Sequence, residues 1–61
     1  MIPANDVEVE SVPIGELWYV RLEHKPTGTL ISGSADSEYM AKEIAFEKLV
    51  TKLKQIKYEI D

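Results

Sequence analysis

The sequence predicts an α+β domain: a three-stranded antiparallel β-meander packed against one C-terminal α-helix. Three observations carry this prediction. Valines and aromatics alternate with polar residues over 6–12 and 16–24, the period of a half-buried strand. Lys25-Pro26-Thr27-Gly28 separates the second run from a short third one and has the composition of a tight turn. After Gly33 there is no further Gly or Pro, and good helix formers take over.

Residues 1–5 bury little and are expected to be loosely held. Asp6-Val7-Glu8-Val9-Glu10-Ser11-Val12 alternates acid with valine. It predicts a strand with Val7 and Val9 turned inward and Glu8 and Glu10 outward. Its position and its acids predict a sheet edge, because edge charges discourage unwanted strand pairing. Pro13, Ile14 and Gly15 are expected to break the strand.

The second strand, 16–24, places Trp18, Val20 and Leu22 on one face and Tyr19, Arg21 and Glu23 on the other. At the turn, Pro26 presets φ and Gly28 takes a left-handed conformation, closing the hairpin with a bulge. The return strand is expected at 29–33, with Leu30 and Ser32 facing one way and Thr29, Ile31 and Gly33 the other. All three glycines are assigned to turns.

The helix is expected at 36–57. Ser34, Asp36 and Ser37 are candidate caps, and Glu38 falls where a negative charge complements the helix dipole. Ala41, Ala45, Leu49, Leu53 and Ile56 form an apolar stripe flanked by Phe46 and Val50. The two alanines predict a close approach to the sheet. Met40 and Ile44 project elsewhere, under a loop or the sheet rim or, as the alternative, into a small exposed apolar patch for a partner. Residues 57–61 end the helix or add a short strand.

Sixty-one residues make a single small domain, 1–61. Such a chain buries about 60% of its unfolded surface, so a dimer or a partner would help stabilise it. The absence of Cys excludes disulfides and thiolate metal sites. Eleven acids against seven bases give a net charge of −4. This disfavours binding to nucleic-acid phosphates, which needs positive surface. No apolar run approaches a membrane span, and no basic-then-apolar leader opens the sequence, so a cytoplasmic protein is expected.

No catalytic set is legible, and the chain is expected not to be an enzyme. His24 is the only histidine and has no partner at triad spacing, so it is read as a polar residue flanking the turn. One His also gives no basis for a metal site, and no cofactor or small-molecule substrate is evident. Glu8, Glu10 and Glu16 read as solvated strand residues rather than an acid–base pair. The glycines lack Walker spacing. Lys48, Lys52, Lys54 and Lys57 lie in a stretch without acids but fall on two sides of a helix.

Val20-Arg21-Leu22-Glu23-His24-Lys25-Pro26-Thr27-Gly28 resembles part of the peptidyl-tRNA-hydrolysing domain of class I peptide chain release factors. There a strand ending in Val-Arg runs into His-x-Pro-Thr-Gly. The resemblance continues through a strand and a helix in which Ala45, Leu49 and Leu53 line up, covering about residues 20–53. The family's catalytic Gly-Gly-Gln loop has no counterpart between Ser11 and Leu17, and the basic helix start is replaced by Asp36-Ser37-Glu38. The resemblance therefore implies strand–turn–strand–helix geometry and contact with ribosomal RNA, but no hydrolysis. The same pattern is similar to the second half of double-stranded RNA-binding domains and to antitoxins of the HicB type. Three families sharing one pattern mark a topology.

The leading functional expectation is a non-catalytic protein-interaction module, of the kind found among accessory or phage regulatory proteins. Its contact residues are expected on the open sheet face: Glu8, Glu10, Tyr19, Arg21 and Glu23, with strand addition at an edge as a second mode. The alternative is RNA or ribosome binding through Lys25, Lys48 and Lys52. A third reading is an acidic mimic of nucleic acid.

Overall fold

The computed structural model describes residues 2–58 and has the expected architecture. β1 (Val7–Ile14), β2 (Leu17–His24) and β3 (Thr29–Ala35) form one antiparallel sheet in the order β1-β2-β3. α1 (Glu38–Gln55) packs across β2 and β3. Ahead of β1, Ala4–Asp6 make one 3-10 turn, and Ile2 lies against the core.

β1 does not stop at Pro13. The loop to β2 is only Gly15-Glu16, with Gly15 at φ 61°, and Ile14 pairs with Leu17. A two-residue loop makes its flanking residues a hydrogen-bonded pair. The even-numbered residues of β1 therefore turn their N–H and C=O toward β2. The Lys25 N–H donates to the Asp6 carbonyl at 2.8 Å, in the same parity. Pro13 is odd-numbered, so its missing N–H would have pointed away from the sheet. A proline at that position of an edge strand breaks nothing.

The β2–β3 turn has Gly28 at φ 71°, and the Gly28 N–H donates to the His24 carbonyl at 2.8 Å. The expected bulge is not there. Pairing passes from His24↔Thr29 to Glu23↔Leu30 without interruption and continues to Trp18↔Ala35, two residues beyond the expected end of β3. A four-residue loop closes the hairpin by itself, so no extra residue is needed to restore register.

The core face of the sheet carries Val20, Leu22 and His24, all fully buried, with Trp18 and Ile31 packed at its margin. α1 covers it with Ala41, Ala45, Leu49 and Leu53, also fully buried. Each Leu buried in this way contributes about 1.5–3 kcal/mol.

Gly33 is not a turn residue. It lies inside β3 opposite Val20, directly beneath α1. A Cβ built there would lie 3.0 Å from the Ala45 amide nitrogen and 3.1 Å from the Ala41 carbonyl oxygen. Gly33, Ala41 and Ala45 together bring helix and sheet backbones into near contact.

Ser37 caps α1, its Oγ accepting from the Met40 N–H at 3.2 Å. Glu38 and Lys42 pair one turn apart at 3.8 Å. The helix ends earlier than expected, in a Schellman arrangement. Lys57 takes φ 61°, and the Tyr58 N–H reaches back to the Leu53 carbonyl at 2.8 Å. Ile56 is therefore a cap rather than part of the stripe, and it is 47% exposed. Met40 does not tuck under a loop but lies exposed on the helix, whereas Ile44 leans over Gly33. Of the expectation for 57–61, residues 59–61 lie outside the described residues.

Candidate functional site

Among the described residues, none forms a second layer on the face of the sheet away from α1. Register places its residues in cross-strand rows: Glu8, Glu23 and Leu30; Glu10, Arg21 and Ser32; Val12, Tyr19 and Ser34; Ile14 and Leu17. All five residues expected on this face from alternation are there. Glu8, Glu10, Arg21 and Glu23 line one shallow depression with Leu30. Tyr19 belongs to the neighbouring apolar row.

Within the depression, Arg21 Nη2 meets Glu10 Oε1 at 3.0 Å. Both side chains are more than half exposed, so the pair contributes at most about 1 kcal/mol. Glu8 and Glu23 sit opposite one another as like charges, an arrangement that is unfavourable across a strand pair.

This face also has an apolar half that alternation over 6–12 and 16–24 does not reveal. Val12, Ile14, Leu17 and Leu30 are all exposed, Ile14 and Leu30 the most. Ending β1 at Pro13 had removed Ile14 from the sheet. The brevity of Gly15-Glu16 was the signal that Ile14 and Leu17 must pair.

One inward assignment is also corrected. Val9 faces the helix side of the sheet, yet it is 46% exposed, because α1 lies over β2 and β3 and leaves most of β1 bare. Val7 is half-buried at the core margin. β1 is thus uncovered along much of both faces.

The two outer edges of the sheet differ. On β3 the outward carbonyls belong to Leu30, Ser32 and Ser34, by the same alternation of hydrogen-bonded pairs. The Lys48 ammonium donates to the Ser32 carbonyl at 3.2 Å, so a helix side chain guards that edge. The backbone groups of Val7, Val9, Ser11 and Pro13 point outward from β1; the Val7 N–H donates to the Ala4 carbonyl, and none of the side-chain hydrogen bonds among the described residues reaches the others.

The lysines expected to contact RNA are not gathered into one site. Lys48 and Lys52 line a groove of α1 and β3 together with Glu47 and Ile31, whereas Lys25 sits exposed at the hairpin turn and is not part of that groove.

His24 flanks the turn, as expected, and is fully buried. Its Nδ1 lies 2.8 Å from Thr27 Oγ1, which in turn lies 2.7 Å from Thr29 Oγ1. The Tyr58 ring meets it edge-on at 4.9 Å between centroids. Among the described residues Nε2 has no hydrogen-bond partner. The alternation that turned Leu22 inward applied to His24 as well.

Among the described residues, no group of three or more metal-ligating side chains converges, and no helix is long and apolar enough to cross a membrane. No family model, no curated protein and no solved structure matches this chain.

Proposed function

We propose that this chain is a non-catalytic protein-interaction module and that the open face of the sheet is its contact surface. The observation that carries this reading is an uncovered sheet face on which exposed Val12, Ile14, Leu17 and Tyr19 adjoin the charged group Glu8, Glu10, Arg21 and Glu23. An apolar patch with a polar rim is the usual anatomy of a protein contact. Tyr19 and Arg21 are the residue types that most often dominate such contacts. They occupy neighbouring rows of this face, where the apolar half meets the charged half. A cytoplasmic setting belongs to the same proposal, to be checked by cell fractionation.

The test is capture of binding proteins by the immobilised domain, repeated with Tyr19→Ala and Arg21→Ala. A specific protein retained by the parent chain and lost from both variants, with their circular dichroism unchanged, is the expected result. Retention by both variants would show that the open face is not the contact. The same preparations are offered ribosomal RNA at low salt. Binding that falls steeply with added salt would overturn the reading in favour of nucleic-acid contact.

A further inference from the structure

We infer that the free edge of β1 is built to accept an extended, basic segment of the partner as a fourth strand. This rests on the protein-binding reading above and names the partner's chemistry. Three independent features converge on that edge.

The first is backbone chemistry. Parity fixes Val9 and Ser11 as free outward donors, the outward Val7 N–H being taken by the Ala4 carbonyl of the preceding 3-10 turn, and Val7, Val9, Ser11 and Pro13 as outward acceptors. Peptide groups in an open ladder are a template for another strand.

The second is the asymmetry between the two edges. On β3 the Lys48 ammonium occupies the Ser32 carbonyl in mid-strand, whereas on β1 only the first outward group, the Val7 N–H, is occupied, by the Ala4 carbonyl, and no side chain among the described residues guards the rest. α1 also leaves β1 uncovered, so an added strand meets no helix along most of its length.

The third is side-chain chemistry. On the open face, β1 presents Glu8, Glu10, Val12 and Ile14, all exposed. A strand laid antiparallel to it places two apolar residues opposite Ile14 and Val12, then two residues opposite Glu10 and Glu8. Lys or Arg at those last two positions would neutralise the carboxylates, including Glu8, which faces Glu23. On the helix side, an apolar residue between the two cations would cover Val9. The preferred segment therefore reads apolar, any, apolar, any, basic, apolar, basic. A second copy of β1 fits poorly. In an antiparallel pair centred on Val9 the acids of the two copies would face each other, and centring on Ser11 would lose hydrogen bonds at Pro13.

The experiment uses the whole chain and an end-capped synthetic peptide. The peptide has valine opposite Ile14, Val12 and Val9, lysine opposite Glu10 and Glu8, and threonine elsewhere. Amide exchange is followed residue by residue by NMR. Binding is expected to protect the Val9 and Ser11 amides and leave those of Leu30, Ser32 and Ser34 unchanged. Replacing the two lysines with glutamate, or N-methylating the peptide amides that face β1, is expected to abolish protection. Val9→Pro removes one outward N–H without touching the β1–β2 ladder, and is expected to weaken binding about tenfold, as loss of one well-made hydrogen bond does.

Protection at Leu30, Ser32 and Ser34 instead would overturn the choice of edge. Protection of the β1 amides that grows with protein concentration, without peptide, would make a second copy the occupant. Resonance changes at Tyr19 and Arg21 without protection of the β1 amides would reject the edge while leaving the open face as a protein contact.

Discussion

At the scale of single residues, His24 shows how a polar group is kept in a small core. The ring is fully buried, and its Nδ1 is held by Thr27, itself tied to Thr29. A buried polar group without a partner costs roughly 1–3 kcal/mol. Thr27→Val keeps the shape of the side chain but removes the hydroxyl that serves both neighbours. Urea denaturation is expected to show a loss of stability in that range, with the native circular dichroism retained. An unchanged midpoint would mean that the hydroxyl contributes nothing to holding the ring. His24 was legible in part. One further step of the alternation of Trp18, Val20 and Leu22 leads to the inner face, whereas its place beside the turn pointed only to a polar flanking residue. Pro26, Thr27 and Gly28, which also carry the release-factor resemblance, have structural roles in the turn: Thr27 holds His24, and Gly28 supplies the positive φ.

At the scale of elements, two positions decide how strand and helix meet. Pro13 sits in an edge strand with its ring nitrogen outward, so β1 runs on to Ile14 and adds an apolar row to the open face. Gly33 sits under α1, where the nearest backbone atoms leave no room for a side chain. Gly33→Ala would force the helix away from β3 or strain both backbones. Overpacking of this kind costs roughly 1–3 kcal/mol. Thermal denaturation of the variant is expected to show a clearly lowered midpoint. A midpoint equal to the parent's would show that helix and sheet can separate freely. The alternation of β2 and the cap of α1 were readable from composition and spacing. The role of Gly33 was not, because its need for smallness comes from a helix eight or more residues away. Ala41 and Ala45 carried half of that signal.

At the scale of the whole molecule, the fully buried apolar core is Val20, Leu22, Ala41, Ala45, Leu49 and Leu53. Two of those six are alanines, so the leucines supply most of the buried volume. A domain of this size has only a few kcal/mol of net stability. Leu49→Ala leaves a cavity that costs roughly 2–5 kcal/mol, comparable to the whole. The variant is expected to lose its cooperative thermal transition and its near-ultraviolet circular dichroism at room temperature. A sharp transition in the variant would mean that the domain draws stability from more than this core. A bound partner strand would raise stability by mass action, so the peptide should shift the parent's melting temperature upward with concentration.

The sequence by itself determined the order of elements, the turn at Gly28, the faces of β2 from Trp18 to Glu23 and the inner stripe of α1 from Ala41 to Leu53. Those features follow from local periodicity and turn chemistry, which act over a few residues. Only the tertiary structure decided which strands α1 covers, and with that the exposure of Val9, the open edge of β1 and the burial of His24. The physical reason is that alternation assigns a side chain to a face but does not say whether anything lies over that face. One helix is too narrow to cover three strands. The strand it leaves bare carries the acids and valines that we assign to a partner.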